Sequence, residues 1–88
     1  MEKTITIINR LGLHARAAAK LVQTAARFKS TVRIRKDKRT VSGKSIMGVL
    51  MLAAAKGTSL TFIAEGEDAA QALDALTQLV ADKFGEDA

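Results

Sequence analysis

The chain has 88 residues, no cysteine and a net charge of +5. This length suits one small domain with a single core, and the absence of cysteine excludes disulfides, thiolate nucleophiles and thiolate metal sites. The N-terminal sequence MEKTITIINR lacks the order of a secretory signal, and no apolar run reaches the roughly 18 residues of a membrane span. We therefore expect one soluble, cytoplasmic domain over residues 1–88, without membrane insertion.

Charge is distributed unevenly along the chain. Residues 1–44 carry 12 Lys and Arg against 2 Asp and Glu, whereas residues 45–88 carry 2 against 7. A basic half favours an anionic partner, which could be a phosphorylated molecule or a nucleic acid. Proteins that bind single-stranded nucleic acid usually stack the bases on aromatic side chains. This chain has three Phe, no Tyr and no Trp. A small nucleic-acid-binding domain is therefore a weaker hypothesis than a domain that handles phosphate.

In the first half, the hydrophobic pattern predicts a strand, a helix and a hairpin. Lys3–Ile8 alternates threonine and isoleucine, as half-buried strands do, and Gly12 then marks a turn. An alanine-rich helix follows over Ala15–Phe28. Thr31–Arg35 alternates again, and the sequence KDK predicts a turn into a short strand around Thr40–Ser42.

The second half predicts a helix, a strand and a last helix. Ser45 is a good N-cap for an apolar helix over Ile46–Ala55, which the following Lys-Gly pair would end. Thr58–Ala64 supplies a fourth strand, and EGED turns the chain again. One apolar stripe runs from Ala69 to Phe84 in the last helix, and Gly85 would stop it.

The predicted order β-α-β-β-α-β-α favours a two-layer α+β domain. Such a domain has a four-stranded antiparallel sheet with three helices on one face. The other face is then exposed to solvent, which suits outward side chains at Thr4, Thr6, Arg33 and Arg35. The order of the strands within the sheet does not follow from the periodicity.

The only histidine, His14, lies where Gly12 turns the chain into the first helix, at the N-cap. Histidine is not among the preferred N-cap residues, so capping does not explain it. The backbone amides of Ala15 to Ala17 lack partners within the helix, and the positive end of the helix dipole faces the ring. This environment favours a neutral imidazole and an anion beside it, such as a phosphoryl group on a ring nitrogen.

Arg16 lies in the first turn of the same helix. Its guanidinium could form charge-assisted, bidentate contacts with phosphate oxygens. A cation at a helix N-terminus is otherwise unfavourable by roughly 0.3–1 kcal/mol, so its position also suggests a nearby anion.

Other roles for His14 are an ordinary turn residue, a metal ligand or a hydrolase base. The ordinary role stays open, since most single histidines do nothing special. A metal site is disfavoured because the chain has no second His or Cys and no carboxylate within several residues. A Ser-His-Asp hydrolase is disfavoured because the sequence places no acid to orient the ring.

Two motifs carry a family resemblance over essentially the whole chain. GLHAR before an alanine-rich helix, and GKSIMGVLMLAAAKG some thirty residues later, resemble the histidine-containing phosphocarrier (HPr) family of the bacterial phosphoenolpyruvate:sugar phosphotransferase system. The resemblance implies an open-faced β-sandwich that works without a cofactor. It further implies that Nδ1 of His14 accepts a phosphoryl group from phospho-enzyme I and passes it to a histidine of an enzyme IIA domain. Arg16 and the amides of Ala15 and Ala17 would then steady the phosphate.

The sequence departs from the family pattern at Ala17. The commonest signature has proline there, which is pre-organised for the first helical turn. Alanine adds an amide donor and loosens the entry into the helix, so the rate of transfer and the choice of partners are in question.

Ser45 has both a structural and a regulatory interpretation. As an N-cap it needs no further role. GKSIMG also resembles the site that an ATP-dependent HPr kinase/phosphorylase modifies in many family members, and a phosphoserine is tolerated at a helix N-terminus. Added negative charge there would weaken docking of enzyme I without touching His14.

We expect the starts of the first two helices to form the docking surface. The residues predicted to contact partners are Ile46, Met47, Leu50 and Met51, with Met47 exposed. A carrier that meets several partners in turn is expected to be a monomer. A regulatory HPr paralogue, which binds partners according to its phosphorylation state without serving sugar uptake, is the alternative.

Overall fold

Four strands of alternating polarity form one antiparallel sheet, and three helices cover one of its faces. The computed structural model describes all 88 residues. The elements in chain order are β1 (Glu2–Thr6), α1 (Ala15–Ala26), β2 (Thr31–Lys36), β3 (Arg39–Ser42), α2 (Ile46–Met51), β4 (Ser59–Glu65), α3 (Ala69–Ala81) and a single 3₁₀ turn (Lys83–Gly85). The predicted element order and fold class are confirmed.

The strands are arranged in the order β1-β4-β2-β3, and every neighbouring pair is antiparallel. β4 therefore lies between β1 and β2, where Thr61 is opposite both Thr4 and Arg35. This pairing joins the beginning of the chain to its last third.

Alternation along the strands separates a buried face of the sheet from an exposed one. Val32 and Ile34 are buried in the core. Arg33, which lies between them, and Arg35, which follows Ile34, are exposed. Nη2 of Arg33 lies 2.5 Å from Oε1 of Glu65 on this exposed face. The outward positions predicted for the arginines are confirmed. Thr4 and Thr6 are exposed as well, as predicted.

The buried side chains form a single hydrophobic cluster of 20 residues between the sheet and the helices. Phe62 of β4 and Phe84 after α3 are its largest fully buried members. At about 25 cal/mol for each Å² of apolar surface removed from water, this cluster supplies the main driving force for folding.

Helix α2 ends at Met51, so the prediction that it continues to Ala55 is wrong. Ala53, which follows the C-cap residue Leu52, has a φ of 49°, and this turns the chain out of the helix. The carbonyl oxygens of Met51 and Leu52 accept hydrogen bonds from Arg39 (3.1 Å) and Lys36 (2.9 Å). Cations of the β2–β3 hairpin thus satisfy the helix end, and the Lys-Gly pair lies in the loop beyond.

Helix α3 ends at Ala81, and Phe84 is not part of its apolar stripe. Lys83 and Phe84 both have a φ of 56°, so the chain reverses in the 3₁₀ turn. Phe84 nevertheless reaches the core, and its carbonyl oxygen accepts a 2.6 Å hydrogen bond from Nζ of Lys20. This contact holds the chain after α3 against α1.

Two other predicted boundaries extend too far. β1 ends at Thr6 rather than Ile8, and α1 ends at Ala26 rather than Phe28. At the end of α1, the amide of Phe28 bonds three residues back, to Ala25 (3.2 Å), which is tighter than α-helical spacing. The other strand ends agree with the prediction to within one residue.

Asp68 fastens the start of α3 to the loop before β2. Its carboxylate accepts hydrogen bonds from the hydroxyl of Ser30 and from the amides of Lys29 and Ser30, at 2.9 Å each for the two amides. The Ser30 hydroxyl, followed by the Lys29 amide, lowers the pKa of Asp68 from 3.8 to about 2. The ionised carboxylate therefore stabilises the folded state.

We expect Asp68→Asn to lower the urea midpoint of unfolding at about pH 7. Because the pKa of Asp68 is lower in the folded state, its contribution is complete above about pH 4 and is lost as the pH falls towards about 2. The difference between wild type and Asp68→Asn should therefore shrink over that range. Asp74→Asn, at an exposed position of the same helix, is the control and should change little. A deficit that stays constant from about pH 7 to about pH 2 would refute this role of the carboxylate.

Candidate functional site

The loop between β1 and α1 is fixed by close backbone contacts. Gly12 has a φ of +67°, and a Cβ atom there would lie only 2.5 Å from the carbonyl oxygen of Ala54. The amide of Leu13 donates to that same oxygen at 2.8 Å, and Nδ2 of Asn9 donates to the carbonyl of Gly12 at 2.9 Å. This loop, which needs glycine, determines where His14 stands.

His14 is the N-cap of α1, as predicted. Its backbone is extended (φ −74°, ψ 175°), its carbonyl accepts the first helical bond from Ala18 at 2.8 Å, and its ring makes no capping bond. The amides of Ala15, Arg16 and Ala17 have no hydrogen-bond partner. Ala15 and Arg16 are exposed, whereas Ala17 is buried. The helix start therefore offers unpaired donors beside the ring.

A carboxylate from the far end of the chain orients the histidine ring. Nε2 of His14 is hydrogen-bonded to Oε2 of Glu86, 72 residues away. The other carboxylate oxygen, Oε1, accepts a 2.9 Å bond from Nδ2 of Asn9. The expectation that no acid is placed to orient the ring is therefore wrong, because the reversal after α3 brings Glu86 to His14.

Glu86 is held in its ionised form. The hydrogen bond from Asn9 lowers the pKa of Glu86 below its ordinary 4.5, and the His14 hydrogen bond acts in the same direction. The charges of His14 and Arg16 lower this pKa further, against an opposing effect of burial. Asn9 is fully buried, and its Oδ1 atom has no partner. The site thus contains a resident anion beside the ring and the helix N-terminus.

Arg16 lies at the rim of a shallow depression next to this pair. The depression has a volume of about 200 Å³ and is lined by Arg10, Leu11, Arg16 and residues 86–88. The guanidinium of Arg16 is exposed and forms no hydrogen bond, so it is free to contact an anion. Two arginines therefore border the site, of which the sequence analysis identified one.

The missed residues differ in how they could have been found. Asn9 and Arg10 lie only a few residues before His14 in the sequence, so their closeness along the chain could have identified them as candidates. Glu86 follows Gly85, which signals a change of chain direction, but nothing local indicates where the chain goes next.

Ser45 and the predicted docking residues belong to α2. Oγ of Ser45 accepts a 3.1 Å bond from the amide of Gly48, which confirms its N-cap role. The exposed fractions are 44% for Ile46, 69% for Met47 and 58% for Met51. Leu50 is half-buried and packs against the core. The exposure predicted for Met47 is confirmed.

The start of α1 lies next to the residues that follow α2, since Leu13 bonds to Ala54. Ser45 is at the opposite end of α2, whose six residues correspond to about 9 Å of helix. The structure therefore brings His14, Arg16 and Glu86 together and keeps Ser45 apart from them.

No three His, Cys, Asp or Glu side chains are grouped so that they could hold a metal ion, and no serine hydroxyl is bonded to His14. None of the helices combines the length and the apolar character that crossing a bilayer requires.

Comparison with known proteins shows similarity over nearly the full chain. The family model "PTS HPr component phosphorylation site" matches residues 1–82. The phosphocarrier protein HPr of Neisseria meningitidis serogroup A is 54% identical over 86 residues, covering 98% of this chain and 97% of the relative.

Solved structures agree with this result. The crystal structure of HPr-C-His from Thermoanaerobacter tengcongensis has a TM-score of 0.96 and 45% identity, covering 100% of this chain and 99% of that one. A structure described as an HPr dimer from the same organism has a TM-score of 0.80 and 46% identity, covering 98% and 99%. With its histidine at the start of α1, the chain belongs to the HPr family of phosphocarrier proteins of the phosphotransferase system.

Proposed function

We propose that this protein accepts a phosphoryl group on His14 from phospho-enzyme I, with phosphoenolpyruvate as the source, and donates it to a histidine of an enzyme IIA domain. The observation that carries this proposal is the position of the ring, partly exposed at the N-cap of α1 beside three unpartnered amides. Because phosphoenolpyruvate is made in the cytoplasm, the proposed reaction takes place there.

The chemistry needs little besides positioning and charge. A ring nitrogen of His14 forms a bond to phosphorus with its lone pair, and the bond from phosphorus to enzyme I breaks with its electron pair returning to enzyme I. The exposed amides at the helix start and the guanidinium of Arg16 would meet the charge on the phosphoryl oxygens. Transfer to the IIA domain is the same step with a new acceptor.

Ala17 does not prevent this arrangement. Helix α1 begins at Ala15 without the proline that the commonest family signature has at position 17. The buried side of Ala17 faces the core, so the change bears on the rigidity of the helix entry.

This proposal is tested by loading, which here means the transfer of a phosphoryl group from enzyme I to the protein. Incubation with phosphoenolpyruvate and enzyme I should attach one phosphate that is acid-labile and alkali-stable, as expected for a phosphohistidine. The HPr of a close relative serves as the control for enzyme I activity. If that control is loaded and this protein is not, the proposal fails.

The docking surface is proposed to be the exposed side of α2 together with the start of α1. Ile46, Met47 and Met51 offer apolar contacts to enzyme I and to IIA domains, and flexible methionines adapt to more than one partner. Leu50 would contribute through its half-exposed side. An HPr kinase/phosphorylase is a further proposed partner, acting on Ser45.

A negative charge at Ser45 is expected to slow loading by enzyme I roughly 10- to 100-fold, through repulsion at the docking surface. The variant Ser45→Asp carries this charge and keeps an N-cap acceptor. Ser45→Asn is the matched control, because asparagine caps equally well without charge. The initial rate of loading by enzyme I is measured for both, and equal rates would exclude electrostatic regulation at this position.

We also propose that the carrier works as a monomer, since each partner must reach His14 in turn. Sedimentation at working concentration tests this directly, and a stable dimer would overturn it. A dimer is a real outcome to test, because one of the similar solved structures is described as an HPr dimer.

A further inference from the structure

The contact with Glu86 determines which ring nitrogen of His14 is free. An ionised carboxylate can only accept hydrogen bonds, so Nε2 of His14 must carry the hydrogen that joins it to Oε2 of Glu86. In a neutral imidazole with its hydrogen on Nε2, the lone pair is on Nδ1. Nδ1 has no partner in the structure and is therefore the nucleophilic nitrogen.

Glu86 is itself positioned by a chain of contacts. Nδ2 of Asn9 donates one hydrogen to Oε1 of Glu86 and the other to the carbonyl of Gly12, both at 2.9 Å. Because the Gly12 carbonyl needs a donor, the Asn9 amide cannot be reversed without losing both bonds. The orientation of the Asn9 amide is thus fixed by the backbone of the loop.

The chain on either side of Glu86 is held as well. Nζ of Lys20 donates to the carbonyl of Phe84 at 2.6 Å, and the amide of Arg10 donates to the carbonyl of Ala88 at 3.0 Å. The side chains of His14 and Glu86 are only 29% and 14% exposed. Their hydrogen bond is therefore partly shielded from competing water.

We propose that Glu86 is a positioning residue, which holds His14 in the tautomer whose Nδ1 lone pair accepts the phosphoryl group. Glu86 has this role only if His14 carries the phosphoryl group, as proposed above. Glu86 does not touch the reacting phosphorus, because its carboxylate faces Nε2 rather than the nitrogen that forms the new bond.

The charge balance of the transfer gives Glu86 a second effect on the same step. The Nδ1 lone pair forms the bond to phosphorus, and the bond from phosphorus to the donor breaks with its electron pair leaving on the donor. Nε2 keeps its hydrogen, so the ring becomes positively charged. The carboxylate of Glu86 faces that hydrogen and stabilises the developing charge, as an acid paired with a catalytic histidine does in hydrolases.

Glu86→Gln tests the proposal sharply because Asn9 determines how the new amide lies. The glutamine oxygen must face Nδ2 of Asn9, which leaves the glutamine NH₂ group facing His14. Nε2 must then accept, and the ring hydrogen moves to Nδ1. Glu67→Gln makes the same chemical change at an exposed glutamate that forms no side-chain hydrogen bond or ion pair and lies outside the site, so it is the matched control.

Two measurements decide the outcome. Ring ¹⁵N chemical shifts of His14 at about pH 9, where imidazoles are neutral, should show hydrogen on Nε2 in the wild type and Glu67→Gln, and a shift towards Nδ1 in Glu86→Gln. Loading by enzyme I should be at least about tenfold slower in Glu86→Gln, and unchanged in Glu67→Gln.

Wild-type protein with its ring hydrogen on Nδ1, or Glu86→Gln loading as fast as wild type, would overturn the proposal. If neither protein is loaded, the proposed function itself fails. The ¹⁵N shifts, which need no phosphoryl transfer, then still decide whether Glu86 sets the tautomer.

Discussion

His14→Ala is expected to abolish incorporation of acid-labile phosphate from phosphoenolpyruvate and enzyme I. The ring is the only imidazole in the chain, and there is no cysteine to replace it as a nucleophile. The fold should survive, because the ring makes no helix-capping bond and is partly exposed. Transfer of labelled phosphate is measured alongside circular dichroism, which verifies that the variant is folded.

Gln23→Ala is the control for this experiment. Gln23 is exposed on the same helix, makes no side-chain hydrogen bond, and should load at the wild-type rate. Label that persisted in folded His14→Ala would show that another residue is the phosphoryl acceptor.

Arg16→Ala is expected to slow loading roughly 10- to 100-fold without unfolding the protein. A charge-assisted hydrogen bond contributes roughly 1.5–3 kcal/mol, and each 1.4 kcal/mol corresponds to a factor of ten in rate. The guanidinium is exposed and has no partner in the structure, so its removal breaks no existing hydrogen bond. Arg16→Lys keeps the charge but loses the planar fork, and we expect an intermediate rate. The rate of single-turnover loading by enzyme I is measured for the wild type, Arg16→Ala and Arg16→Lys.

A control must separate the effect of the positive charge of Arg16 from the effect of its position beside His14. Arg27→Ala removes one positive charge at the other end of α1 and should have a much smaller effect. If Arg27→Ala slows loading as much as Arg16→Ala, the general field of the basic surface is responsible, and direct contact with the phosphoryl group is not.

The elements of the fold could be predicted because their signals are local. The alternation of Val32 and Ile34 with exposed arginines identifies β2 and its buried face without any knowledge of neighbouring strands. The strand order β1-β4-β2-β3 could not be predicted in this way, since it depends on pairings such as Thr4 with Thr61, far apart in the chain.

Tertiary contacts also explain why α2 and α3 end earlier than predicted. Local propensity favours continuing α2 through the alanines after Met51, but Lys36 and Arg39 of the hairpin bind its last carbonyls. After α3, packing of the Phe84 ring into the core requires a backbone reversal that no hydrophobic stripe reveals.

The candidate site, like the fold, could be predicted from the sequence only in part. His14 and Arg16 follow from one short stretch, because Gly12 and the helix start fix their setting locally. Glu86 reaches the ring only through the reversal after α3 and the contact with Asn9, so its role depends on the folded structure. The half of the site that supplies the proposed nucleophile could be predicted from the sequence, and the half that contacts its ring could not.

Onward transfer is the most direct test of the claim that this protein is a carrier. Protein loaded on His14 is separated from enzyme I and mixed with an unphosphorylated enzyme IIA domain, and the phosphate on each protein is followed with time. We predict that the IIA domain gains one phosphate for each one lost from His14, and that the freed protein can be loaded again. Phosphate that stays on His14, or that is released only to water, would contradict a carrier role and favour the regulatory alternative.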